Sequence, residues 1–346
     1  MSKAADLANL IGNINAGGGG VNRNVIINGA MNVAQRGTSS TGAGGSDGYL
    51  TLDRWKTAFN SAGRLTMTQD SSAPSGFANS LKLACTTADT SVAAGEYFFL
   101  QQNIEGQNLQ GFAKGTSDAK PFALSFWVKG NASATYVAEL YDNDNTRQIS
   151  KTFSVTTDWT RIELTYPADT TGALDDDNAK SLNLAIWLHA GTTYTSGTLN
   201  SSAWASNTNA NRAAGISSFY DSTSRTFFIT GVQLEVGQNP TEFEHEPVGT
   251  TLEKCRRYYF QEDTTSHWLR TSGTAATGDY YTDYILPTPM RTAPTWTAVV
   301  GSDLSGHDAV TMNTKTNHVC YVDFNKTSTG SSSYYSFNKV TASAEL

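Results

Sequence analysis

Apolar and polar residues alternate with a period of two along most of this chain. Arg64 to Thr68, Ser80 to Leu83, Tyr97 to Gln102, Phe122 to Lys129, Tyr136 to Tyr141, Lys151 to Val155, Thr160 to Tyr166, Leu182 to His189 and Thr226 to Val236 all carry it. Successive side chains of an extended segment point to opposite faces, so each run predicts a strand with one face buried, as in antiparallel sheets. Many short strands separated by polar turns specify a sandwich or jelly roll. Beyond Pro247 the runs Leu252 to Gln261, Gly278 to Leu286, Pro294 to Val300, His318 to Asn325 and Ser333 to Val340 predict a second, smaller β-domain. Pro287, Pro289 and Pro294 mark a bend or an edge, where a missing N–H is tolerated.

Residues 3–14 follow a different period. Leu7, Leu10, Ile11 and Ile14 fall at the i, i+3, i+4, i+7 spacing of one helix face, supported by Ala4 and Ala5. A helix of about 12 residues is marginal alone in water, so this stripe needs a partner: a second copy of the chain or a docking protein. A frayed terminus is the competing reading. Gly17 to Gly20 form a hinge, Val25 to Met31 read as a strand, and Gly37 to Gly48 are rich in turn residues. The expected organisation is all-β: an attachment segment at 1–48 with its short N-terminal helix, a jelly-roll β-sandwich at 49–246, and a C-terminal β-domain at 247–346.

Composition narrows the function classes. Charged residues make up 16% of the 346 positions, against an average near 25%. The net charge of −7 opposes sequence-independent binding to nucleic acid, which depends on Lys and Arg neutralising phosphates. There is no apolar run long enough to span a membrane and no basic-then-apolar start of an export signal. Cys85, Cys255 and Cys320 are odd in number and far apart, which fits buried free thiols better than a disulfide framework or a metal site.

A sugar site needs a flat aromatic face for the C–H side of the ring and amides or carboxylates for the hydroxyls. Trp187, Tyr194 and Trp204, with Asn200, Asn207 and Asn209 between strands, supply that mixture, although Trp187 lies in an alternating run and packing competes. In the second domain Tyr258, Tyr259, Trp268, Tyr280, Tyr281 and Tyr284 include adjacent pairs. On a strand one member of each pair must face away from the other, toward solvent, a receptor or a second subunit. Asp142, Asp144, Asp175 and Asp177 offer hard oxygen ligands to Ca²⁺, but no EF-hand pattern surrounds them, and such residues are also ordinary in turns. No other cofactor is expected. The five histidines are isolated and no GxSxG, HExxH or CxxC phrase occurs, so no catalytic machinery is read from the sequence. Glu242, Glu244 and Glu246 would share one face of a strand, where paired carboxylates serve glycan cleavage, or else lie in a solvated linker.

Several phrases in order resemble the tail-fibre and virion proteins of tailed phages, those of marine phages especially. They are Asn28-Gly29-Ala30-Met31-Asn32-Val33-Ala34-Gln35-Arg36-Gly37, Asp53-Arg54-Trp55, Ser196 to Asn200 with Trp204, Pro240 to Glu244, Leu252 through Tyr259, and Leu286 to Thr295. The run Phe227-Phe228-Ile229-Thr230-Gly231-Val232-Gln233-Leu234-Glu235-Val236-Gly237 is similar to the closing strand of carbohydrate-binding-module jelly rolls. The resemblance implies a homotrimeric fibre or spike made in the host cytoplasm, docked on the phage tail or other virion proteins by its N-terminus and touching a host surface glycan with its distal domains. A capsid or tail decoration protein without a receptor role, and a glycan depolymerase, are the alternatives.

Overall fold

The alternating runs assemble into antiparallel sheets packed face to face. The computed structural model describes residues 3–5, 7, 8, 11, 22–271, 278–305, 307–326 and 333–346; at 264–271, 279, 300–305, 307–310, 324–326 and 333–336 it describes the backbone alone. The chain divides into one unit of residues 1–248 with Leu346 and a second of residues 249–345.

The first unit is a jelly-roll sandwich. With strands numbered along the chain, one sheet has the order β1 (Ser39–Ala43), β4 (Arg64–Asp70), β5 (Ser80–Thr87), β13 (Thr226–Val236), β7 (Phe122–Gly130), β10 (Thr160–Tyr166). The other has the order β12 (Ala205–Ser206), β9 (Arg147–Val155), β8 (Ala134–Asp142), β11 (Lys180–Ala190), β6 (Tyr97–Glu105), β3 (Lys56–Asn60), β2 (Gly48–Tyr49). Alternate residues meet between the sheets: Leu65, Met67, Leu81, Leu83, Leu124, Phe126 and Phe227 from the first, Phe98, Leu100, Tyr136, Leu140, Leu184 and Ile186 from the second. Each large side chain so buried contributes about 1.5–3 kcal/mol.

Residues 24–36 depart from the expected strand and from the expected attachment segment. Ile26–Ala30 are turns, and Ile26 and Met31 belong to the sandwich core. Asn28 decides this. Its φ of 59° lies in the left-handed region that Asn tolerates better than most residues. Its amide replaces a ladder, donating to the carbonyls of Val33 (2.8 Å) and Asp53 (3.0 Å) and accepting from the N–H groups of Asn32 (2.9 Å) and Val33 (3.0 Å). The Asp53-Arg54-Trp55 phrase is buried against it. Lys3–Ala5, Leu7, Ala8 and Ile11 are helical, with Leu7 and Ile11 exposed; Leu10 and Ile14 lie outside the described residues.

Residues 242–247 form no strand. The Glu244 carboxylate instead accepts from three consecutive backbone N–H groups, those of Asn22 (2.6 Å), Arg23 (2.9 Å) and Asn24 (3.1 Å). Glu242 pairs with Arg161 at 3.4 Å. The Glu244 and Glu242 carboxylates are thus ligands for N–H groups and a guanidinium.

The second unit opens with a helix, Val248–Arg256, where the sequence predicts a strand from Leu252. Thr251 and Cys255, four apart, form its buried face, and Lys254 and Arg256 sit at its negative C-terminal end. Two three-stranded sheets follow: β14 (Tyr259–Thr271), β19 (Ser333–Ser343), β16 (Thr295–Ser305); and β15 (Gly278–Ile285), β18 (Val319–Lys326), β17 (His307–Thr314). Phe260, Tyr284, Leu286, Met290, Trp296, Cys320, Val322, Phe337 and Val340 fill the space they enclose. All three cysteines are buried, and none forms a disulfide.

Candidate binding site

The expected aromatic platform of the first unit is closed. Trp187 points away from the main core, to the outer face of the seven-stranded sheet, but is 0% exposed. The covering segment runs from Gly191 to Ser218 and lays Tyr194 against the indole at 5.3 Å and the Arg212 guanidinium over it at 4.9 Å. The indole N–H donates to Glu139 Oε2 at 2.9 Å, and Arg212 donates to both oxygens of the same carboxylate at 2.8 and 2.7 Å. Trp204 lies in the other cluster, between the sheets, its N–H donating to the Pro167 carbonyl at 2.9 Å. Two indoles on opposite faces of one sheet cannot flank one ring. Asn200 is half-buried; its Oδ1 receives the Asn211 amide at 3.4 Å, while its Nδ2 is without a partner.

The calcium candidates are brought near one another without converging as ligands. The Asp142 carboxylate is held by the buried ammonium of Lys114, which also meets Asp169 Oδ2 at 3.1 Å and the Gly172 carbonyl at 2.8 Å. A fixed cation therefore already neutralises this site. Asp144 accepts the Asp175 N–H at 3.0 Å, joining the two loops, and Asp177 accepts the Ala179 N–H two residues on at 2.9 Å, an ordinary Asx turn.

A larger open cleft lies in the second unit. β14 and β15 are edge strands of their sheets, and Arg256, Phe260, Gln261, Glu262, Asp283, Tyr284, Ile285 and Pro287 from these strands and their flanks line a cleft of about 580 Å³. That size suits a small ligand or a few sugar rings. Phe260 and Tyr284 form its apolar floor; the Tyr284 hydroxyl donates to Glu262. Burial first, then this bond to a carboxylate, push the phenol above its ordinary range. Asp283 stands at the rim, 3.4 Å from Lys315 Nζ.

The outer face of the sheet carrying β15 continues the site. Register places Tyr281 opposite Asp323, which faces Thr311, and Asp283 opposite Tyr321, which faces Asn313. Tyr281 is 62% exposed, and its ring lies 5.7 Å from that of Tyr321. The Tyr280–Tyr281 pair does divide between faces, since Tyr280 packs on the core. Tyr258 and Tyr259 are both buried, because Tyr258 ends the helical turn before the strand starts. The Trp268 side chain lies outside the described residues. Individual residues of the cleft could be singled out in the sequence, but its assembly needs strands that are neighbours only after the sheets form.

No protein-family model matches the chain, and no curated protein matches it. Solved structures with some likeness include a family 4 carbohydrate-binding module, 11% identical over 60% of this chain and 97% of that one, TM-score 0.31. A family 11 carbohydrate-binding module from Clostridium thermocellum in complex with a β-1,3-1,4-mixed-linked tetrasaccharide is 10% identical over 60% and 99%, TM-score 0.29. The enzymatically active domain of bacteriophage CBA120 tailspike protein 4 is 13% identical over 62% of this chain and 21% of that one, TM-score 0.32. Likenesses of this size concern the fold of parts of the chain and say nothing of its ligand.

Proposed function

We propose that this protein is a glycan-binding structural subunit of a phage virion, a tail fibre or spike that attaches to the host surface, and that it binds without catalysis. The observation that carries the reading is the cleft between β14 and β15 with the tyrosine face beside it. Phe260, Tyr281, Tyr284 and Tyr321 offer apolar ring faces, while Gln261, Glu262, Asp283, Asn313 and Arg256 offer hydrogen-bonding groups of both kinds. Sugars need both at once: C–H faces stack on aromatic rings, and hydroxyls take hydrogen bonds that would otherwise go to water. The ordered phrases that resemble phage virion proteins support the virion part of the reading, and the exposed Leu7 and Ile11 near the N-terminus suit assembly into a trimer or docking on the tail.

Glycan cleavage is the second reading, because Glu262 and Asp283 line the same cleft. Binding alone is favoured, since Glu262 is held by Tyr284 and Asp283 by Lys315. A glycan array probed with the full-length protein tests both. We expect retained host-surface oligosaccharides, affinity lowered about tenfold by Tyr281→Ala, the effect of losing roughly 1.4 kcal/mol of stacking and apolar contact, and no new reducing ends on incubation. An array without hits, or hits indifferent to Tyr281→Ala and Asp283→Asn, would sink the assigned site. Host adsorption unchanged in virions lacking the protein would remove the attachment role.

A further inference from the structure

Three residues far apart in sequence meet at one end of the first unit. Asp89 follows β5, Glu96 precedes β6, and His189 lies near the end of β11. One ligand atom from each, a carboxylate oxygen from Asp89 and from Glu96 and a ring nitrogen of His189, lie within 4.8 Å of one another. The His189 side chain is 0% exposed and Asp89 is 6% exposed. His189 Nε2 is buried with no hydrogen-bond partner; the Glu96 Oε2 atom it faces stands 3.8 Å away, beyond hydrogen-bonding range.

The other ring nitrogen is already fixed. His189 Nδ1 stands 2.8 Å from Ser218 Oγ, so the imidazole is held from behind with Nε2 turned to the two carboxylates. That is the arrangement by which a second-shell group orients a metal-ligating histidine. The carboxylates are oriented likewise. Asp89 Oδ2 accepts from Ser61 Oγ at 2.8 Å and the Ala62 N–H at 3.0 Å, and Glu96 Oε2 accepts from the Ala93 N–H at 2.7 Å. Neither arrangement supplies a donor or acceptor to Nε2.

We propose that Asp89, Glu96 and His189 bind one divalent transition-metal ion of the zinc class, through His189 Nε2 and one oxygen of each carboxylate. An imidazole with two carboxylates suits such an ion, whereas Ca²⁺ and Mg²⁺ take oxygen ligands. Zinc–ligand bonds of about 2.0–2.2 Å on a tetrahedron place ligand atoms roughly 3.3–3.6 Å apart. Closing the group from 4.8 Å to that spacing takes small side-chain rotations. A water completes the fourth position, reached from the side of Glu96, whose side chain is 16% exposed while the other two ligands are buried.

The ion is a clasp. Its ligands come from both ends of the β5–β6 connection and from the C-terminal end of β11, and Ser218 ties in the segment that covers Trp187. Loading therefore stiffens the connection and the covering segment together.

The test uses the full-length chain stripped with chelator and titrated with Zn²⁺ in a calorimeter. We expect one ion per chain, a rise in melting temperature on loading, and reversal by chelator. Glu96→Gln, at the most exposed ligand and so the variant safest for folding, should abolish saturable binding while the melting temperature of the stripped protein stays near that of wild type. Ser218→Ala should weaken binding roughly 10- to 100-fold. Co²⁺ loading should give visible d–d bands without a thiolate charge-transfer band, since the cysteines are no part of the site. No saturable binding by the wild type, binding unchanged in Glu96→Gln and His189→Gln, or a thiolate band would each overturn the proposal.

Discussion

The indole N–H of Trp55 donates to the backbone carbonyl of Asn28 at 3.2 Å, across 27 residues of sequence. Asn28 in turn donates to the carbonyl of Asp53, so two phrases singled out in the sequence for their resemblance are one buried lock. The lock holds a left-handed turn against the sandwich where alternation alone would continue a strand.

Asn28→Ala is therefore expected to destabilise the first unit by about 3 kcal/mol or more. It removes four side-chain hydrogen bonds and leaves buried carbonyls and N–H groups without partners. Denaturant unfolding measures it. Trp55→Phe should cost less alone, and the two losses should fall short of additive, because each loosens the same buried lock through a different bond.

The Arg212–Glu139 pair makes a second prediction. Glu139 is fully buried, so Arg212→Ala strands an uncompensated carboxylate, at a cost of about 3–5 kcal/mol. Arg212→Met with Glu139→Gln should recover much of that loss in the same unfolding measurement. A double variant as unstable as Arg212→Ala alone would mean that packing over Trp187, and not charge, is what matters.

Acid stability turns on Asp169. Burial raises its carboxyl, but hydrogen bonds from Arg147 and the Thr171 N–H together with the Lys114 charge outweigh this and hold it below the ordinary range. A carboxylate with a depressed folded pKa contributes stability that is complete above its unfolded pKa, about 3.9, and is lost as pH falls toward the folded value. Stability measured from pH 5 downward should thus fall in the wild type, with a shallower slope in Asp169→Asn, which will itself be less stable at pH 7.

Thiol reactivity gives a prediction for both units. Burial, with a smaller effect of Asp283, pushes Cys320 up to about 12, and burial also raises Cys85. Since the thiolate is the reactive form, an aromatic disulfide reagent at pH 8 should label none of the three cysteines in native protein and all three in denaturant.

Tyr281→Ala should leave the melting curve nearly unchanged, within about 0.5 kcal/mol, because the side chain is mostly in solvent. A larger loss would mark Tyr281 as a packing residue and deprive the binding experiment of its meaning.

The strands of the sandwich were legible because one face of each is buried, which writes a period of two into runs such as Leu182 to His189. Three kinds of feature were not. Lys56–Asn60 pairs with β6 but is too short and mixed to alternate. The helix Val248–Arg256 is hidden by its glycine and threonines, whose weak helix propensity is overridden by the buried Thr251–Cys255 face. Trp187 left sugar binding and packing both open in the sequence, and a segment more than 20 residues long folds back over it on the outer face of its strand. The candidate sites share this limit. Tyr281 could be picked out from its neighbour Tyr280, but nothing local joins Asp89 and Glu96 to a histidine more than 90 residues on, which reads as isolated until β6 and β11 pair.

The Glu244 carboxylate closes a mechanical circuit. It grips the backbone at Asn22–Asn24, where the described chain enters the sandwich, close to the point where the chain leaves it. Tension applied between the segments before Asn22 and after Glu244 runs through those three N–H bonds and the Arg23 contacts to Thr241 and the Glu242 carbonyl. Both ends are also tied to β13, Asn24 to Val232 and Leu234 and the Glu244 N–H to Gln233. A domain so wired would yield first at its own doorway, keeping its core strands paired under a pull that parts the entrance.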